Sequence, residues 1–180
     1  MNRLKNNRCY LAGAMEMDPD NGVEWRQVIQ KELQDLGIYW LDPTNKPTET
    51  GKETPETKQE LFQARAVRDY DAVYSRMKPI RCIDLRMTDI SDFLIVNLDP
   101  QTPTFGTLEE MANSNRQKKP IVVRIVGGKE KTPLWLLGML PHQLIFSTWE
   151  EVCAYLRHIA HDRVINTLGR WYFFNWQGDE

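Results

Sequence analysis

The sequence predicts a doubly wound α/β sandwich with a mostly parallel sheet of about five strands. Three observations predict it. Short apolar runs, too short for helices, recur along the chain. Between them lie longer segments whose apolar residues repeat at helical spacing. Glycine and proline sit at the junctions, where one periodicity gives way to the other.

Cys9-Tyr-Leu-Ala12, ended by Gly13, reads as the first buried strand. The acidic, turn-rich stretch 15–22 leads to a helix marked by Trp25, Val28, Ile29, Leu33 and Leu36, with Gly37 as its stop. Ile38-Tyr-Trp-Leu41 is the second strand, closed by Asp42-Pro43. Residues 44–57, rich in Thr, Pro, Glu and Lys, read as a solvated loop. A weakly amphipathic helix follows over 56–75. A better one carries Ile80, Ile83, Met87 and Ile90. Phe93-Leu-Ile-Val-Asn-Leu98 is the most strand-like run. A loop over 99–105 precedes a helix opened by Gly106-Thr107 and ended near Lys119-Pro120. Ile121-Val-Val-Arg-Ile-Val126 is a strand stopped by Gly127-Gly128. A short segment 134–140, a strand 144–146 and a helix 149–160 complete a Rossmann-like or flavodoxin-like alternation.

The chain has 180 residues, which sets one domain, assigned to 1–162, with a tail over 163–180. Hydrophobic residues are 41% and charged residues 27%, the balance of a soluble globular protein. Lys plus Arg is 23 against 25 Asp plus Glu, so no broad electrostatic grip on a nucleic acid is expected. No apolar run reaches membrane-spanning length, and the stretch after the charged residues 1–8 is too short for a signal peptide. Cys9, Cys82 and Cys153 are odd in number and widely spaced, which argues against disulfides or zinc and for small buried hydrophobes in a reducing, cytoplasmic compartment. His142, His158 and His161 have no metal-ligand spacing, and the latter two read as surface or satisfied residues. Neither a metal ion nor a cofactor is expected. Trp171, Tyr172, Phe173, Phe174 and Trp176 crowd the last ten residues. The elements above account for a core without them. The tail is therefore expected to pack on the domain or, preferably, on a neighbouring subunit.

In open parallel sheets the ligand crevice lies at the carboxyl ends of the strands. Candidate chemistry therefore follows Ala12, Leu41, Leu98 and Val126. No Walker A, GxGxxG or GxSxG sequence is present. What remains is carboxylates. Asp84 and Asp92 flank one helix, and Glu109 and Glu110 lie in the first turn of another, near its positive dipole end. Each has a plainer reading. Thr107-Leu-Glu-Glu110 fits a capping box, Asp84 an exposed helix acid, Asp92 a loop cap and Tyr10 a core aromatic.

Read together, these residues form an ordered series: Tyr10-Leu-Ala-Gly13, Leu41-Asp-Pro43, Asp84-Leu85 with Asp92, Gly106-Thr-Leu-Glu-Glu110-Met-Ala112, and Lys119-Pro-Ile-Val-Val123. The series resembles the nucleoside 2-deoxyribosyltransferase family and its nucleotide N-glycosidase relatives. It covers roughly residues 8–126, with weaker similarity to about 155. The resemblance implies that a glutamate, here Glu110, attacks C1′ of a 2′-deoxynucleoside and displaces the base. A covalent deoxyribosyl-glutamate forms, and the sugar passes to another nucleobase. Glu109 points about 100° away around a helix and cannot substitute. Tyr10 matches the family tyrosine that touches the nucleophile. Asp84 matches the acid that binds the base and protonates its leaving nitrogen. Gly13, Asp92, Thr104, Gly106 and Thr107 fall at family substrate-site positions, with Asp92 given a structural role at its turn. His142 stands in a stretch, approximately 137–144, that in the family completes a neighbouring subunit's site. Homo-oligomers with shared active sites are therefore implied, acting on a small-molecule nucleoside or nucleotide and a free nucleobase.

Two departures pull against each other. Family members acting on free nucleosides carry an acid where this chain has Thr104, whereas the monophosphate N-glycosidases carry a hydroxyl residue that contacts phosphate. Yet the loop after the first strand, Ala14-Met-Glu-Met-Asp-Pro-Asp20, holds three acids that would repel a phosphate unless Arg26 or Lys46 reaches in. The transferase therefore stands first, with a 2′-deoxynucleoside 5′-monophosphate N-glycosidase or a non-catalytic nucleotide-binding protein as alternatives.

Overall fold

The computed structural model describes residues 2–18, 20–46, 48, 51–102 and 104–172. Five strands form one sheet: β1 (Arg8–Gly13), β2 (Tyr39–Leu41), β3 (Phe93–Leu98), β4 (Ile121–Ile125) and β5 (Ile145–Phe146). Their order is β2-β1-β3-β4-β5, and every pairing is parallel. The helices are α1 (Val23–Glu32), α2 (Pro55–Ala66), α3 (Tyr70–Ile90), α4 (Phe105–Arg116), α5 (Leu134–Met139) and α6 (Trp149–His161). This is the doubly wound α/β architecture that the alternation predicts.

Strand residues alternate between the two faces, and each face has its own core. Cys9 and Leu11 of β1, Phe93 and Ile95 of β3 and Val122 of β4 pack with Ile29, Leu33, Val152 and Leu156 of the α1–α6 layer. Tyr10 and Ala12, Leu94 and Val96, and Val123 and Ile125 pack on the other face with Met87 of α3 and Met111 of α4. A one-residue slip of β1 would exchange the two sets, so register decides that Tyr10 faces α4.

Three expectations are corrected. The single weak helix over 56–75 is two helices. Arg68 adopts a left-handed φ of 63°, and Asp69 caps α3 by accepting from the Ala72 N–H. α3 then continues through Pro79, so the break expected between 75 and 80 does not occur. All the buried residues of α3 (Ile80, Met87 and Thr88) follow Pro79. Packing on the sheet therefore holds the half that follows the proline. Cys82 is exposed, while Cys9 and Cys153 are buried.

The third correction concerns the tail. Trp171 is fully buried, with its ring centroid 5.4 Å from that of Phe93, and its indole N–H donates to Tyr155 Oη at 2.8 Å. The core of the domain does use this end of the chain. Phe173, Phe174 and Trp176 lie outside the described residues.

Candidate active site

α4 leaves the carboxyl end of β3 and packs back across β1 and β3. Its inward stripe is Thr107, Glu110, Met111 and Ser114, at helical spacing. The helix begins at Phe105 with Thr104 as N-cap, so Glu110 lies in the second turn, and the first turn holds no acid. The capping box expected between Thr107 and Glu110 is absent. Glu110 turns instead to the sheet. Glu109 faces outward and pairs with Arg81 of α3.

Tyr10, fully buried on β1, donates its Oη–H to Glu110 Oε1 at 2.7 Å. Burial pushes the Glu110 carboxyl up to about 8, and the nearby Asp84 charge adds to the rise. The Tyr10 hydrogen bond pulls the other way, as do the more distant charges of Arg26 and Lys46. The Tyr10 phenol is itself raised well above its ordinary range, chiefly by burial, so it remains a donor.

Asp84 projects from α3 toward the same place. Burial raises it to about 6, against the pull of Lys46. Lys46, from the loop after β2, puts its Nζ 2.8 Å from Asp84 Oδ1 and 3.0 Å from Oδ2, and 3.2 Å from Glu53 Oε2. Composition alone reads 44–57 as solvated loop, yet the Lys46 side chain is 0% exposed. Its place just beyond the carboxyl end of β2 was the signal available in the sequence.

Arg26 does not reach this group as a free cation. Its guanidinium is buried beneath the first loop and donates to the carbonyls of Leu11, Gly13, Asn21 and Gly22. Asp42 lies 3.8 Å away, and the Trp25 ring is 4.5 Å from the guanidinium carbon. Gly13 belongs to the same packing. A Cβ there would stand 2.8 Å from Trp25 Cζ2 and 3.2 Å from the Asn97 carbonyl oxygen. The acids of the first loop are also engaged. Glu16 pairs with Arg65, and Asp20 accepts from the Gly22 and Glu24 N–H groups at the start of α1. Lys58 of α2 ties the loop down through the carbonyls of Met15 and Asp18 and the Asn21 side chain.

The remaining candidates are spread out. Thr104 is buried at the start of α4, and its side chain makes no capping bond. Gly106 faces open space, while Thr107 is buried on the inward stripe. Asp92 is at the amino end of β3, the opposite end of the sheet from this cluster. It accepts from the Arg8 backbone N–H at 2.7 Å and pairs with the Arg8 guanidinium at 3.0 Å. It therefore has the structural role expected for it at that turn, as a clamp between β1 and β3, and the structure does not bring it to the family substrate-site position beside this cluster. His142 is exposed just before β5, at the outer edge of the sheet, and the chain does not bring it to its own Glu110. A cavity of about 170 Å³, lined by Met15, Glu53, Leu61, Phe62 and Met77 among others, opens beside the cluster. Among the described residues, no group of three or more His, Cys, Asp or Glu is placed to hold a metal ion. No helix among them is long and apolar enough to cross a membrane.

No family model matches the sequence, and no curated protein matches it. Solved structures do. The 2-deoxyribosyltransferase of the psychrotolerant bacterium Bacillus psychrosaccharolyticus superposes with a TM-score of 0.55 at 18% identity, over 83% of this chain and 95% of that one. The 2-desoxiribosyltransferase from Leishmania mexicana gives a TM-score of 0.53 at 16% identity, over 84% and 98%. This chain shares their fold. At these identities the likeness is one of architecture, so the chemistry has to be argued from the carboxylates themselves.

Proposed function

We propose that the protein is a nucleoside 2-deoxyribosyltransferase, with Glu110 as nucleophile and Asp84 as the acid–base group. The observation that carries this reading is the buried Tyr10–Glu110 hydrogen bond of 2.7 Å, with Asp84 close enough to raise the Glu110 carboxyl. A glutamate buried in an apolar layer is costly, and such groups concentrate where chemistry needs them. The shared fold with two 2-deoxyribosyltransferases supports the same reading.

In the first step a Glu110 carboxylate oxygen attacks C1′ and the C1′–N bond breaks. The Asp84 proton passes to the leaving nitrogen, so a neutral base departs. In the second step the nitrogen of an incoming base attacks C1′ and expels the Glu110 carboxylate, and the base's proton returns to Asp84. Tyr10 holds one Glu110 oxygen, leaving the other for attack. The proposal extends to a cytoplasmic homo-oligomer in nucleotide salvage, whose subunits complete one another's sites through the segment around His142.

A second reading has one observation in its favour. The Thr104 hydroxyl lies at the start of α4 with no capping bond, and helix N-termini favour anions. That position suits the phosphate of a deoxynucleoside 5′-monophosphate. Incubation with deoxynucleosides, their monophosphates and free bases separates the readings by chromatography. Base exchange supports the transferase. Base release from monophosphates alone supports the N-glycosidase. Nucleotide affinity without turnover, unchanged in Glu110→Gln, overturns both and supports a binding protein.

A further inference from the structure

The Lys46 side chain is fully enclosed, yet it is a cation. Enclosed lysines are rare without anionic partners, and this one has two, Asp84 and Glu53. The loop that delivers it is seated tightly on α3. A Cβ at Gly51 would fall 2.5 Å from Ile83 Cδ1 and 3.4 Å from Lys46 Cδ, so a side chain at residue 51 would have to displace the end of the Ile83 side chain. Ile83 is the immediate neighbour of Asp84. The ammonium donates to Asp84 Oδ2 at 3.0 Å and lies 2.8 Å from Oδ1, whose own hydrogen-bonding capacity is unmet, so the Oδ2 bond constrains the rotation of that carboxylate and the ion pair its charge.

We propose that Lys46 is a positioning residue for Asp84: its ammonium fixes the carboxylate in one orientation and holds it ionised in the empty site, while Glu53 shares the ammonium and limits that hold. The inference rests on the transferase reading for what Asp84 does, but not for how Asp84 titrates. Among the described residues, the charged and titratable groups that act on or with Asp84 include Lys46 and Glu53 from the loop between β2 and α2, Arg26 from α1, Tyr10 from β1 and Glu110 from α4. Arg26 is committed to backbone carbonyls, and Tyr10 to Glu110. Lys46 contacts Asp84 directly, and Glu53 contacts Lys46 directly as a second anion.

The consequence for the reaction is an order of protonation. The attack needs Glu110 ionised and Asp84 protonated. In the empty site Lys46 favours the reverse, an ionised Asp84 beside a Glu110 raised by burial. An entering base that takes a hydrogen bond from the Asp84 carboxyl competes with the ammonium, and the single proton moves to the acid only then.

The test is a titration of Asp84 followed by NMR of carbon-13-labelled aspartate carboxyls, with Asp84→Asn identifying the resonance. Lys46→Met should raise the Asp84 midpoint by about one pH unit or more, because a contacting cation is lost. Lys46→Arg should restore it. Glu53→Gln should lower it, because an opposing anion is removed and the ammonium is released to Asp84. Shifts of opposite sign from Lys46→Met and Glu53→Gln are the expected signature. An unmoved Asp84 in both variants, or movement in the same direction, overturns the proposal. If Lys46→Met does not fold, the downward shift in Glu53→Gln decides it alone, and an Asp84 unmoved in that variant overturns the proposal. The same samples are assayed for base release. Where the wild type turns over, one limb of its pH profile should move with the titration, and a limb that stays still overturns the positioning role. A wild type with no turnover rejects the transferase reading, while the titration still decides whether Lys46 sets the state of Asp84.

Discussion

Replacing Glu110 by Gln should stabilise the protein in alkaline solution. Glu110 is 9% exposed, and its carboxyl is raised from the ordinary 4.5 to about 8, first by burial. An acid raised in the folded state binds its proton more tightly there than in the unfolded chain. Between pH 4.5 and about 8 the folded protein thus holds a proton that the unfolded chain has released, and its stability falls as pH rises across that window. Below pH 4.5 both states are protonated and the penalty is absent. At about 1.4 kcal/mol per pH unit, the window corresponds to on the order of 3–5 kcal/mol. Glutamine has the shape of the protonated acid, still accepts from Tyr10, and cannot ionise. Urea unfolding of wild type and Glu110→Gln, repeated from pH 4 to pH 9, should give equal free energies at the acid end. The difference in favour of the variant should then grow steadily and level off near pH 8. Asp84, raised to about 6, is present in both proteins and largely cancels from the comparison. Curves that stay parallel across the range would show that Glu110 ionises at little cost, and the argument for a functional carboxylate from its burial would fail.

Tyr10→Phe removes a charge-assisted hydrogen bond worth about 1.5–3 kcal/mol to the ionised form. The midpoint of Glu110 should rise further, by about one pH unit or more, and base release at pH 7 should drop at least about tenfold. A pH–rate profile checks both, and an unshifted profile would assign Tyr10 to packing alone. Trp171→Ala empties a site between Phe93 and Tyr155, so a loss of about 3–5 kcal/mol is expected in urea unfolding. A loss below about 1 kcal/mol would mean that the indole adds little to the core. Asp92→Asn should cost under about 1 kcal/mol, since its partner Arg8 is half exposed, and should leave base release unchanged. A marked fall in turnover without loss of stability would return Asp92 to the active site.

The sheet was legible because its signal is local. Each of β1, β3 and β4 is a run of apolar residues bounded by glycine, proline or aspartate, and a parallel strand buried on both faces needs little more. The α2–α3 corner was not legible, because the residue that turns the chain there is Arg68, in a left-handed conformation usually signalled by glycine or asparagine. Pro79 departs from its usual role in the opposite sense. A proline inside a helical pattern normally marks a boundary, but here Ile80 and Met87 bury themselves in the core and carry the helix through it. Composition also failed for the tail. Five aromatics near a terminus read as one unit, whereas Trp171 has its own place against β3 and α6.

The candidate site divides along a similar line. Tyr10 and Glu110 are 100 residues apart, and nothing local pairs them. Only the ordered series of strand-end residues put them together, and the sheet then brings them to 2.7 Å. Lys46 is named in the sequence only as a cation that could reach in toward a phosphate, and its pairing with Asp84 was not legible because a loop of Thr, Pro, Glu and Lys carries no burial signal. Its burial comes with the loop packing on α3, where Gly51 lies against Ile83 and Lys46 pairs with Asp84, a contact between distant segments. The acidic first loop shows the converse. Its three acids, counted as charges, seemed to set a repulsive field toward phosphate. In the fold Glu16 is spent on Arg65, Asp20 on backbone N–H groups and the backbone carbonyl of Asp18 on Lys58. The field at the carboxyl ends is therefore governed less by how many charges the first loop contains than by which stand beside Glu110. Those that act on the Glu110 carboxyl include Asp84 and Lys46, members of a cluster paired internally through Lys46 with Glu53 as the second anion.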